Sequence, residues 1–127
     1  MKCERCKCVT FVIYLGDLKL CEDCRMSNLN KEQFRFTYLT SLLIGYAYAK
    51  GYTLTYGDAW AKSGHKVGSK HYSRLAIDLN LFKDGNYLAE SEDHKPLGEF
   101  WESLDPLCVW GGSFSNKDGN HYQYTHG

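Results

Sequence analysis

A chain of 127 residues has room for one compact domain and a small appendage, not for several domains. Fifteen basic residues balance fifteen acidic ones, which argues against a duplex-binding module, because such a module carries a basic excess. Hydrophobic residues make up 43% and charged residues 24%, an ordinary globular composition, and the longest apolar run, Leu39 to Tyr48, is too short and too polar to span a bilayer.

The first residues, Met1 to Cys6, lack the apolar stretch of a secretory signal. The expectation is synthesis and folding in a reducing cytoplasm, where six Cys serve as metal ligands or free thiols rather than as a disulfide framework. Residues 1–28 read as a separate Cys-rich piece. Its four spaced cysteines fall in two pairs, Cys3 with Cys6 and Cys21 with Cys24, around a β-like run, Val9 to Tyr14, and the turn residues Gly16-Asp17. Two Cys-x-x-Cys pairs on a short hairpin suit a structural zinc site: four thiolates close a tetrahedron and leave no position for water. Cys8 is a substitute ligand, a reduced tail without metal is the bland alternative, and Cys108 reads as a buried thiol. The role of this piece is open between nucleic acid, wall targeting and protein docking, although its acidic residues offset most of its basic ones.

Residues 29–127 form the second predicted domain. Asn30 and Gln33 resemble a helix cap with its reciprocal partner, and the spacing of Phe36, Leu39, Leu43, Tyr46 and Ala47 predicts a helix over 31–50 that stops at Gly51. Tyr52 to Tyr56 alternates like a strand, and 57–70 is a loop. Leu75 to Phe82 reads as a strand, turned by Asp84-Gly85 into Tyr87-Leu88. Pro96 to Leu104 predicts a short helix with Pro at its start, and Val109-Trp110 and His121 to Thr125 predict short strands around a Gly-rich loop. Mixed strands and helices give an α+β class.

Two stretches carry the chemistry. Ser69 to Asp78 contains His71 and Asp78; Trp110-Gly111-Gly112 is followed by Asp118 and His121. Zinc hydrolases hold their metal with three nitrogen or oxygen ligands and keep one position for water. His71, Asp78 and His121 supply two imidazoles and a carboxylate on predicted strand ends. Asp118, three residues before His121, is placed for a general base. On spacing alone, the alternative is ordinary surface residues and turn chemistry.

Together the stretches resemble the zinc peptidases that include D-alanyl-D-alanine carboxypeptidases and phage L-alanyl-D-glutamate endopeptidases. That family carries Ser-x-His-x-x-Gly-x-Ala-x-Asp, then Trp-Gly-Gly, then an acidic residue three before a His. This chain matches with Ser69, His71, Ala76, Asp78, Trp110, Gly111, Gly112, Asp118 and His121. Leu75 to Phe82, Tyr56 to Ala59 and Lys95 to Gly98 look most like the phage endolysin branch. The resemblance covers about residues 31–127. It implies a small antiparallel sheet with packed helices of the D,D-peptidase/hedgehog-like kind, a catalytic zinc on His71, Asp78 and His121, and Asp118 as base. It further implies the stem peptide of bacterial peptidoglycan as partner, no membrane insertion, and a monomer that reaches the wall from the host cytoplasm after release. Substrate contacts fall to Lys62, Ser69, Arg74 and Trp110.

Two departures stand out. Arg74 replaces the family's Gly, so the backbone there either needs no special conformation or finds another route to it. Lys62 stands where an Arg commonly binds a substrate carboxylate, and Lys cannot copy that two-pronged pair. The leading reading is an L-alanyl-D-glutamate endopeptidase. The alternatives are a D-Ala-D-Ala carboxypeptidase or dipeptidase, a zinc-containing binding or regulatory module, and a zinc-ribbon nucleic-acid binder.

Overall fold

The computed structural model describes residues 12–15, 18–21, 28–65 and 68–125, with side chains from Leu29 onward. The chain divides into two compact units, Met1–Glu32 and Gln33–Gly127. The first holds an antiparallel hairpin of β1 (Val12–Leu15) and β2 (Leu18–Cys21), in the region where the sequence predicts one. The expected Cys site lies outside the described residues: Cys3, Cys6 and Cys24 fall there entirely, as does the side chain of Cys21.

The second unit is a small α+β arrangement. After α1 (Asn28–Ala49) come β3 (Tyr52–Tyr56), β4 (Ala76–Lys83), β5 (Asn86–Leu88), α2 (Lys95–Leu104), β6 (Cys108–Trp110) and β7 (His121–Tyr124). The antiparallel sheet runs β3-β4-β7-β6, with β5 also paired to β4. β4 pairs through its second half with β3 and β5, and through Ala76–Asp78 with β7. Among the described residues no helix is long and apolar enough to cross a membrane.

Period-two alternation along β4 buries Ile77, Leu79 and Leu81 in the core that also takes Phe36, Leu39, Leu43 and Ala47 of α1. Tyr46 stacks on Phe100 at 4.0 Å between ring centres. Trp101 of α2 is fully buried, and its Nε1–H is shared between the carbonyls of Val109 and Gln123, which face each other across β6 and β7. One indole thus locks α2 onto the sheet and leaves no buried donor unsatisfied.

Several local expectations differ in detail. The helix starts at Asn28, so Asn30 lies in its first turn rather than at its cap, and the Gln33 amide donates to the Ser73 carbonyl at 2.9 Å. Gly51 ends the helix region with φ +89°, and Asp84-Gly85 forms the β4–β5 turn with both residues at positive φ. Short 3-10 turns at Lys70–Ser73, Ser91–His94 and Gly111–Ser113 have no apolar period to announce them. Arg74 does adopt the left-handed conformation, φ 59° and ψ 34°, as the cap of the first of these turns. A non-Gly side chain thus holds a backbone region that glycine enters at little cost, and does so with strain.

Buried His94 sits with Nδ1 2.9 Å from the hydroxyl of fully buried Tyr122. Burial lowers the His94 pKa to about 4, against a smaller upward pull from Asp93. An unfolded His titrates near 6.5, so between those values the unfolded chain binds the extra proton. The resulting stability is present above pH ~6.5 and is lost as pH falls toward about 4, on the order of 3 kcal/mol. His94→Asn, which keeps a polar atom near the Nδ1 position, is expected to remove this pH dependence. Denaturant unfolding of both proteins across that window, with equal slopes against pH, would contradict it.

Candidate metal centre

The β4–β7 register sets Asp78 directly opposite His121. Asp78 Oδ1 lies 3.2 Å from His121 Nδ1. The 3-10 turn before β4 brings in His71, whose Nε2 is also 3.2 Å from Asp78 Oδ1. Ser69 caps that turn: its hydroxyl accepts the His71 backbone N–H at 3.3 Å. Behind Asp78 the chain from β3 stays paired, with Gly57 N–H donating to the Asp78 carbonyl at 2.7 Å and Asp78 N–H to the Asp58 carbonyl at 2.9 Å. A Cβ on Gly57 would stand 3.0 Å from that of Asp78, so glycine permits this approach.

Asp118 arrives on the loop between β6 and β7. Its Oδ2 is 3.9 Å from His121 Nδ1, and its side chain is 53% exposed, so it stands at the rim of the cluster. Backbone bonds from Asp118 N–H to the Gly111 carbonyl (3.0 Å) and from His121 N–H to the Asp118 carbonyl (3.1 Å) set the loop's path. The Trp110 indole packs on Gly98 and Gly112, where any Cβ would fall about 2.1 Å from its ring atoms. Its Nε1–H donates to the Gly119 carbonyl at 2.7 Å. The Trp-Gly-Gly motif is thus a clamp on the loop that delivers Asp118 and His121.

His71, Asp78 and His121 each offer a donor atom within 4.8 Å of the others, the one such group among the described residues. One Asp78 oxygen faces both imidazoles. Burial lowers the His71 pKa, outweighing the pull of Asp78. At His121 burial also acts downward, but hydrogen bonds to Asp78 and Gln123 and the Asp78 charge outweigh it, and the pKa rises. Burial thus favours the neutral form of His71, the form a metal ligand needs, and its buried Nδ1 has no hydrogen-bond partner. Two imidazole nitrogens and a carboxylate oxygen at this separation suit a divalent ion such as zinc.

The group opens into a cleft of about 1020 Å³, lined also by Ser69, Lys70, Lys117, Asp118 and Gln123. Among the predicted substrate residues, Ser69 lines the cleft, whereas Lys62, Arg74 and Trp110 do not. Lys62 and Arg74 both lie over the Trp60 ring, at 5.2 and 4.4 Å from its centre. Arg74 and Trp60 line a separate groove of about 390 Å³ against α1. Trp110 stands behind the cleft as the clamp described above.

Two contributors carry no motif of their own in the sequence. His65 stacks on His71 at 4.4 Å between ring centres, held by Asp58 at 3.1 Å and by the Tyr72 hydroxyl, which bonds both its N–H and its carbonyl. Gln123 holds His121 through a 2.7 Å contact. The second was legible in principle, since residues two apart on a strand share a face.

A family model described as D-alanyl-D-alanine carboxypeptidase matches residues 61–124, just over half of the chain. The chain belongs to this family of peptidases, and His71, Asp78, Asp118 and His121 all fall in the matched span. Among solved structures it is similar to the Serratia marcescens L-Ala D-Glu endopeptidase ChiX, with TM-score 0.58 and 16% identity over 79% of this chain and 89% of that one. At that identity the likeness concerns the fold. No curated protein matches the chain in sequence.

Gly111 is where the loop presses on backbone: an added Cβ would meet the Asp118 carbonyl oxygen at 2.2 Å and the His121 Cβ at 2.9 Å. Gly111→Ala is expected to destabilise by about 1–3 kcal/mol, as other overpacked sites do. Gly45, exposed in the middle of α1 with nothing within 4 Å of an added Cβ, is the counterpart. Gly45→Ala is expected to stabilise by about 1 kcal/mol. Urea unfolding of the two variants checks both signs, and a neutral Gly111→Ala would show that the loop is not held as described.

Proposed function

We propose that the chain is a zinc-dependent peptidase of the bacterial cell wall, of the phage-lysis kind, cutting the stem peptide between L-Ala and D-Glu. The observation that carries this reading is the Asp118 carboxylate at the rim of the His71–Asp78–His121 group: a module that only binds metal has no use for a base there. Membership of the peptidase family supports the chemistry. His71, Asp78 and His121 would hold the zinc, which would supply Lewis acidity to polarise a carbonyl and to make water acidic near neutral pH.

The chain's own residues divide the remaining work. Asp118, exposed to the cleft and held by the Gly111 and His121 backbone contacts, accepts a proton from the attacking water. It returns that proton to the leaving amine, so one carboxylate serves both halves of the reaction. Asp78 Oδ1 stands 3.2 Å from His121 Nδ1, and the Trp110 clamp keeps Asp118 and His121 at fixed spacing.

An endopeptidase is favoured because, among the described residues, no arginine lines the cleft to grip a free C-terminal carboxylate. The run Leu75 to Phe82, which looks most like the phage endolysin branch, points the same way. The description of the matched family favours the second reading, a D-alanyl-D-alanine carboxypeptidase. Mass analysis of digested cell wall separates them: new L-Ala carboxyl ends and D-Glu amino ends are expected, and free D-Ala as the main product would select the second reading.

His71→Ala is expected to abolish both hydrolysis and zinc uptake at this centre; full zinc with normal activity would remove His71 from the site. Asp118→Asn is expected to keep zinc and lose about 10²–10⁴-fold in kcat. Zinc lost together with activity would make Asp118 a ligand instead. Activity within a few-fold of the parent would assign the base elsewhere.

A further inference from the structure

We infer that Gln123 is a positioning residue that fixes which nitrogen of His121 faces the metal. The inference rests on the metal-centre reading above and extends it to a residue that supplies no ligand and moves no proton. β7 is extended, so His121 and Gln123 project to the same side, toward the cleft that both line. Gln123 Oε1 lies 2.7 Å from His121 Nε2. The other ring nitrogen, Nδ1, lies 3.2 Å from Asp78 Oδ1, on the side where His71 Nε2 also converges.

A neutral imidazole has one N–H and one lone pair. An amide oxygen can only accept, so it favours the hydrogen on Nε2 and the lone pair on Nδ1, whereas Asp78 Oδ1, without a metal, draws hydrogen to Nδ1. The reverse tautomer would set the Nε2 lone pair against the oxygen at 2.7 Å and put a hydrogen where the ligand atom belongs. The Gln123 backbone is itself held from α2, because the Trp101 indole donates to the Gln123 carbonyl at 3.1 Å. The amide is thus presented from a fixed point on the sheet.

His71 makes the contrast. Its Nδ1 is buried without a hydrogen-bond partner, and the ring is held by stacking on His65. His71 Nε2 and His121 Nδ1 both face Asp78 Oδ1, and of the two rings only His121 has an amide acceptor on its other nitrogen, so the effect of Gln123 should appear at His121 and not at His71.

The test uses the full chain with Gln123→Leu, which keeps the volume but removes the acceptor, and Gln123→Glu, which keeps an acceptor. Zinc affinity is read by competition with a chromogenic chelator. The His121 tautomer is read from ¹⁵N chemical shifts of the metal-free protein in alkaline buffer. Gln123→Leu is expected to weaken zinc binding about 10–100-fold, the usual loss for a partner that orients a ligand. It should also shift His121 toward the Nδ1–H tautomer, whose hydrogen Asp78 accepts, with His71 unchanged. Gln123→Glu is expected to restore both readouts. An unchanged His121 tautomer in Gln123→Leu overturns the inference, whether or not zinc affinity falls. A wild-type chain that takes up no zinc overturns the metal-centre reading instead, and the tautomer measurement still decides the role of Gln123.

Discussion

The short antiparallel pairing of Ala76–Asp78 with His121–Gln123 is the constraint on which the site depends. Side chains on a strand alternate, so a slip of one residue would swing Asp78 into the core and Ile77 into the cleft. The hydrophobic face of β4 forbids that slip, because Ile77, Leu79 and Leu81 fill the interior against α1. Core packing and ligand geometry are therefore one decision: burying the apolar half of β4 aims its carboxylate at His121.

The loops add what the sheet cannot. A 3-10 turn capped by Ser69 presents His71, and a loop clamped by Trp110 presents Asp118. Close backbone approach serves the site twice, through Gly57 beside Asp78 and Gly111 beside Asp118. Where a side chain stands in such a place the backbone bears the cost, as at Arg74 in the left-handed region. Away from the metal centre, buried polar groups find partners: Trp101 and Trp110 donate to carbonyls, and His94 meets Tyr122.

Much of this was readable from residues alone. The helix with Phe36, Leu39, Leu43 and Ala47, the Asp84-Gly85 turn and the strand through Asp78 follow from period and turn chemistry, and the structure brings His71, Asp78 and His121 together. The missing parts are long-range. Nothing local announces that His65 stacks on His71, that Arg74 rests on Trp60 away from the cleft, or that Trp110 clamps a loop instead of lining a pocket. The start of α1 was misplaced because Asn30 and Gln33 carry the signature of a cap, while the helix already begins at Asn28.

The three tryptophans occupy three different environments. Trp101 is sealed in the core, Trp110 is buried with its indole hydrogen bond on the Gly119 carbonyl, and Trp60 stands 45% exposed beneath two cations. An indole's emission follows its surroundings, so the molecule carries its own optical gauges. Light from Trp60 is open to aqueous quenchers. Light from Trp110 registers any opening of the Asp118 loop, and light from Trp101 changes only when the sheet itself comes apart. Trp60, which locks nothing, can be replaced by Phe to leave the two buried gauges, and the order in which they respond during unfolding would tell loop release from collapse of the core.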